Sequence, residues 1–125
     1  MELKFYYCED CDNVVIMLRD SGVPMTCCGQ PMIELVPGGL DGSQGRHTPV
    51  YQVEGNRVMV TVGTMEHPMI ETDFIEWIVL QTKQGFTQRK MLSPNHPPKA
   101  VFAISEEDAV EAVYIYCSVH GLWKA

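Results

Sequence analysis

The sequence predicts a mostly β protein in two parts: a small cysteine-rich unit, then an antiparallel sandwich or barrel. Three observations carry this. Four of the five cysteines fall within the first 28 residues. A breaker-rich stretch, Pro37-Gly38-Gly39-Leu40-Asp41-Gly42-Ser43, reads as a linker. From His47 onward, short β-branched and aromatic runs alternate with turn residues. The expected domains are therefore residues 1–36 and 44–125, joined by a linker at 37–43.

In chain order, Val14 to Leu18 is a short apolar run that fits one strand. Val50 to Glu54 and Arg57 to Gly63 flank Gly55-Asn56 and predict a hairpin. Val58, Val60 and Val62 alternate with Met59 and Thr61, which predicts partial burial of both faces. Phe74 to Gln81, a turn at Gly85, and Phe86 to Leu92 predict a second hairpin. Pro94, Pro97 and Pro98 break the chain into a loop. Val101 to Ile104 and Val113 to Tyr116 complete the strands. Between them, Ser105 through Ala112 fits either a helix capped by Ser105 or a single turn leading into a strand.

The formal charge of −7 disfavours nucleic acid and anionic membrane surfaces as partners. An anionic small substrate would need a metal or a local cation to overcome that field. No apolar stretch approaches the roughly 18 residues of a membrane span, and the N-terminus lacks a secretory pattern. The expected compartment is the cytoplasm, where thiols stay reduced and five cysteines point to metal before disulfides.

Cys8-x-x-Cys11 is followed, after fifteen residues, by the adjacent pair Cys27-Cys28. Two such pairs complete a tetrahedral all-sulfur site suited to iron or zinc, and spacing alone leaves both open. With zinc, the site would only staple a unit too short for a core of its own. Adjacent cysteines must reach a shared metal from a strained backbone. The fifth cysteine, Cys117, stands three residues before His120. His47 opens a strand, and His67 precedes Pro68. Each histidine alone reads as an ordinary surface or core residue. Together with Cys117 they form a thiolate-plus-imidazole set suited to iron.

Six segments then carry a resemblance that runs the length of the chain. They are Tyr7-Cys8-x-x-Cys11, Cys27-Cys28-Gly29-x-Pro31-Met32, His47-x-Pro49-Val50, His67-Pro68-Met69, Ile75-Glu76-Trp77-Ile78 and Cys117-x-x-His120-Gly121-x-Trp123-Lys124. The chain resembles the desulfoferrodoxins, the two-centre members of the superoxide reductase family. The resemblance implies a desulforedoxin-like N-terminal domain, with iron bound by Cys8, Cys11, Cys27 and Cys28. It implies an immunoglobulin-like antiparallel β-sandwich after it, with a non-haem iron held by imidazoles and an axial cysteine thiolate. His47, His67 and His120 match three of the four imidazoles, and Cys117 matches the thiolate. The implied activity is one-electron reduction of superoxide to hydrogen peroxide in oxidative-stress defence, with rubredoxin or a similar carrier as electron donor. Family members are often homodimers.

Two departures stand out. Where the family carries its fourth histidine, this chain has Asp73. Either Asp73 ligates through its carboxylate, or it fails to reach the metal and the second site binds iron weakly, takes zinc, or stays empty. His96 aligns with a loop position that is not a ligand. The family's Glu-Lys pair before the first histidine is replaced by Gly45-Arg46, so Arg46 keeps the cation that would attract superoxide. The expected catalytic residues are Arg46 and Cys117, and the expected metal ligands of the second site are His47, His67, Asp73, Cys117 and His120. The rival readings are a non-enzymatic electron carrier with a degenerate second site, and a zinc-stapled binding module.

Overall fold

A computed structural model describes residues 2–38 and 44–125. The linker expected at 37–43 thus falls mostly outside the described residues. The chain divides into two compact units, Met1–Val36 and Pro37–Ala125.

In the first unit, β1 (Phe5–Tyr7) is the middle strand of an antiparallel sheet, between β2 (Val14–Ile16) and β5 (Ile33–Leu35). β3 (Thr26–Cys27) and β4 (Gln30–Pro31) form a separate minimal hairpin. Of these strands the sequence predicts only the second. Runs of two or three residues are too short for a hydrophobic period to register. The strand expected to reach Leu18 ends at Ile16, and Leu18 is almost fully exposed. Among the described residues of this unit only Phe5 and Cys8 are buried, far too little apolar surface to hold a fold unaided.

The second unit opens with the one-turn helix α1 (Gln44–His47). Seven strands follow: β6 (Pro49–Glu54), β7 (Arg57–Val62), β8 (Ile75–Thr82), β9 (Thr87–Met91), β10 (Lys99–Ala103), β11 (Val110–Cys117) and β12 (Gly121–Lys124). One antiparallel sheet runs β10–β7–β6 and the other β12–β11–β8–β9. This is a sandwich, one of the two architectures that the strand pattern predicts, and the immunoglobulin-like one that the family resemblance implies. β6 and β7 meet at Gly55, whose φ of 60° suits a tight turn that a side chain would strain.

Between the sheets lies one core. Val58, Val60 and Val62 of β7 and Phe102 of β10 join Ile78 and Leu80 of β8, Val113 and Ile115 of β11, and Trp123 of β12. On β7 the alternation is mostly one-sided, since Thr61 is exposed and Met59 half-buried. β8 is buried on nearly every residue, as its near-continuous apolar run implies.

The ambiguous segment after Ser105 resolves as a turn followed by a strand. The Asp108 N–H donates to the Ser105 carbonyl, and the Asp108 carboxylate accepts N–H groups from Gln84 and Ala109. Those bonds tie the segment to the β8–β9 hairpin, so the chain enters β11 at Val110 instead of winding into a helix. β12, which carries the Gly-Leu-Trp-Lys ending, is a strand that composition alone does not announce.

Where β8 pairs with β11, the register shifts by one residue. Tyr116 lies opposite Trp77, but Cys117 lies opposite Ile75, leaving Glu76 as the extra residue of a bulge. In a regular ladder Ile75 would share the outward face of Trp77. The bulge turns Ile75 inward, and the twofold alternation carries Asp73 to the same side as Cys117.

Both tryptophans belong to the second unit, so selectively excited tryptophan fluorescence follows the sandwich alone. In urea unfolding followed this way, Leu80→Ala is expected to cost about 3 kcal/mol, the usual loss for a buried leucine. Val101→Ala, on the exposed face of β10, should change stability by less than about 0.5 kcal/mol. Equal losses at the two positions would contradict the assigned core.

Candidate metal centres

The first cluster is built by two tight turns. After β1 the chain folds back so that the Cys8 carbonyl accepts the Asp12 N–H and the Cys8 N–H donates to the Asn13 carbonyl, both at 2.9 Å. Asp12 adopts φ 64° to close this loop. The second pair sits at the tip of the β3–β4 hairpin. Cys27 pairs with Gln30, and the two residues between them, Cys28 and Gly29, have φ of 53° and 76°. Positive φ at both central positions is the pattern of a type I′ turn. Holding a cysteine there costs on the order of 1 kcal/mol, so the strain expected of adjacent cysteines falls on Cys28.

The four sulfurs of Cys8, Cys11, Cys27 and Cys28 lie within 4.8 Å of one another, with Cys11 and Cys27 3.5 Å apart. The Asn13 amide N–H donates to the Cys27 sulfur at 3.8 Å. Sequence reasoning passes over Asn13; its only signal is an amide donor two positions beyond the second cysteine. The backbone N–H of Cys11 lowers the Cys8 thiol to about 7. Contact with Cys11 and then Cys8 pushes Cys27 up to about 12, and Cys28 is raised mainly by Cys11. Without a cation the cluster thus holds one readily ionised thiol, Cys8, beside two that keep their protons, Cys27 and Cys28. All-sulfur tetrahedral donors fit iron or zinc.

The second cluster lies at one end of the sandwich core. Cys117, the last residue of β11, is fully buried. His47 ends α1 and His67 lies on the loop after β7, and both rings are buried. The coordinating atoms of His47, His67 and Cys117 lie within 4.8 Å of one another, as do those of Asp73, Cys117 and His120. His67 Nε2 is 3.0 Å from His47 Nε2 and 3.5 Å from Cys117 Sγ, and His120 Nδ1 is 3.8 Å from the same sulfur. His67 Nδ1 is 2.7 Å from the Pro68 carbonyl, which can only accept, so Nδ1 carries the proton and Nε2 presents its lone pair to the cluster. Trp123 stacks on the His47 ring at 5.0 Å and fixes its plane.

Asp73 faces this cluster. Its Oδ1 is 3.6 Å from Cys117 Sγ and 3.8 Å from His67 Nε2. Reciprocal backbone bonds between Ile70 and Asp73 pin the residue from one side. From the other, the Ser118 N–H donates to the Phe74 carbonyl and the Phe74 N–H donates to Ser118 Oγ. Ser118 is a second residue the sequence reading missed; only its place beside Cys117 signals it. Burial raises the Cys117 thiol, and the Asp73 carboxylate adds to that effect. Two imidazoles, a thiol and a carboxylate this close are poorly matched to one another without a cation. As nitrogen, sulfur and oxygen donors they fit iron.

Of the remaining expected residues, Arg46 is exposed on α1 beside His47. His96 lies outside the cluster on the proline-rich loop, where its Nδ1 is 2.9 Å from Ser93 Oγ. Asp73 and His120 are the half-buried members of the set, so solvent reaches the cluster on their side.

Because Cys27 and Cys28 hold their protons through neutral pH, metal uptake at the first cluster must displace them. In Cys117→Ser protein, where thiolate-to-cobalt absorption comes from this cluster alone, Co(II) affinity should fall at least about tenfold per pH unit between pH 7.5 and 6. A flat pH dependence would contradict the protonation pattern.

A model of the desulfoferrodoxin family matches residues 40–125. The chain is 39% identical to desulfoferrodoxin from Nitratidesulfovibrio vulgaris over 124 residues, covering 99% of this chain and 96% of that one. It is 39% identical over 123 residues to a desulfoferrodoxin homolog from Archaeoglobus fulgidus, covering 98% and 96%. Among solved structures it superposes on the superoxide reductase from Treponema pallidum with a TM-score of 0.83 at 30% identity, over 99% of this chain and 97% of that one. A superoxide reductase from Giardia intestinalis, described as 1Fe, matches 64% of this chain and 94% of its own length at 28% identity, with a TM-score of 0.55. Two preformed donor clusters on this fold and full-length kinship at this level agree: the chain belongs to the desulfoferrodoxin family.

Proposed function

We propose that this chain is a superoxide reductase, converting superoxide, one electron and two protons to hydrogen peroxide at the second cluster. In this reading Cys8, Cys11, Cys27 and Cys28 hold one iron, and His47, His67, Asp73, Cys117 and His120 hold the other. The convergence of Cys117 with His47, His67, His120 and Asp73 at a solvent-reachable end of the core carries the proposal.

A bound ferrous iron supplies the electron and a Lewis-acid position. The chain's own residues set the conditions. Cys117 offers a buried thiolate, electron-rich and shielded from water. His67 is locked by the Pro68 carbonyl with Nε2 toward the cluster, and His47 is held by its stack on Trp123. Arg46, exposed and next to His47 in the chain, supplies a local cation to attract an anionic substrate to a protein of net charge −7. Its guanidinium also donates hydrogen bonds to an incoming oxygen anion, while protons come from water.

Asp73 favours a complete five-residue donor set over a degenerate site, because its carboxylate lies 3.6 Å from Cys117 Sγ and 3.8 Å from His67 Nε2. As a ligand it adds a negative charge that favours the ferric state. The electron donor in this proposal is rubredoxin or a similar small carrier, the compartment is the cytoplasm, and the working form is a homodimer. Among the described residues no helix is long and apolar enough to cross a membrane.

Two substitutions test the assignment. Cys117→Ser is expected to lower the superoxide rate by more than about a hundredfold, beyond what changes around a ligand usually cause. Unchanged turnover would refute the thiolate's role. Asp73→His should raise the reduction potential of the second centre by on the order of 100 mV, since a charge leaves the metal's immediate surroundings. An unmoved potential would mean that Asp73 is not a ligand.

A further inference from the structure

α1 is a single helical turn, too short to persist by its own hydrogen bonds. It nevertheless carries both His47 and Arg46. What holds it lies just beyond β7, at Gly63 and Thr64. The Gly45 carbonyl accepts two hydrogen bonds from Thr64, one from its N–H at 2.8 Å and one from its hydroxyl at 3.0 Å. The Gly63 N–H donates to the Thr48 carbonyl at 2.9 Å. The turn is thus bonded at both ends, Gly45 and Thr48, with Arg46 and His47 between them. Gly63 has φ 71°, and a Cβ there would meet the Arg46 carbonyl oxygen at 2.4 Å and its carbon at 2.7 Å. The absent side chain is what lets the two backbones touch. Directly before Gly63, β7 is anchored by buried Val58, Val60 and Val62, so the turn is referenced to the rigid core.

We propose that Gly63-Thr64 is a positioning latch that fixes the Arg46-bearing turn against the second centre, with the Thr64 hydroxyl as its adjustable bond. The latch keeps Arg46 in one place while substrate arrives, whereas an unlatched turn would spread its cation over many positions. The structural part stands on these bonds alone. The kinetic part rests on the superoxide reductase reading.

The test compares Thr64→Val, which keeps shape but loses the hydroxyl, with Thr64→Ser, which keeps the donor. Amide hydrogen exchange at residues 63 and 64, and the superoxide rate against ionic strength, are both measured on iron-loaded protein. Thr64→Val should exchange about tenfold faster at those two amides, the loss of one hydrogen bond. Its superoxide rate should fall at low salt and lose most of its salt dependence, while Thr64→Ser tracks the wild type in both. Unchanged exchange in Thr64→Val would overturn the latch. Faster exchange with an intact salt dependence would overturn its role in placing Arg46. A wild-type protein that does not turn over superoxide would sink the functional reading instead, and exchange would still decide whether the latch exists.

Discussion

Two imidazoles and a thiol are buried together at the end of a hydrophobic core, and the second unit is arranged around satisfying them. Burying polar groups without partners is costly, and burying a thiolate beside a carboxylate is costlier still. A cation among these donors removes the conflict. Several features with no other evident purpose then fall into place: the bulge at Glu76 that turns Asp73 inward, the Ile70 and Ser118 bonds that hold it there, and the Pro68 carbonyl that fixes the His67 proton. Each aims a donor atom at the same small volume. The strands supply the rigidity, since β8 and β11 are buried along most of their length, Cys117 ends β11 and Asp73 lies two residues before β8.

The first unit meets the opposite problem. It has almost no core, so its cysteines are its structure as well as its chemistry. A four-coordinate metal there contributes folding free energy directly, as in other small metal-bound units. The strained φ of Cys28 belongs to that arrangement: a type I′ turn at a two-residue strand end brings adjacent sulfurs to one side, and metal binding offsets the backbone cost.

Much of this was legible in the sequence, for identifiable reasons. Cys8, Cys11, Cys27 and Cys28 announce a cluster because each close pair puts two sulfurs in one short segment, and two such pairs can complete a four-sulfur site. The hairpins at Gly55 and Gly85 are legible because turn residues and alternating strands are local signals. Membership of the family was legible through the six matching segments. Apart from β2, the strands of the first unit were not, nor were β12 and the exact start of β11, because they are short or are set by distant pairing. Whether Asp73 faces the cluster was also out of reach. That depends on a one-residue register shift between β8 and β11, and alternation read along one strand cannot show it. The side chains of Asn13, Ser118 and Thr64 each act through one hydrogen bond to a residue far along the chain, and no spacing rule marks them.

Both clusters are built for metal. Elemental analysis of full-length protein from iron-replete cells measures this directly. Two irons per chain are predicted, one at the four cysteines and one at the cluster containing Asp73. One iron per chain, or one zinc and no iron, would contradict the claim that Asp73 completes the second centre.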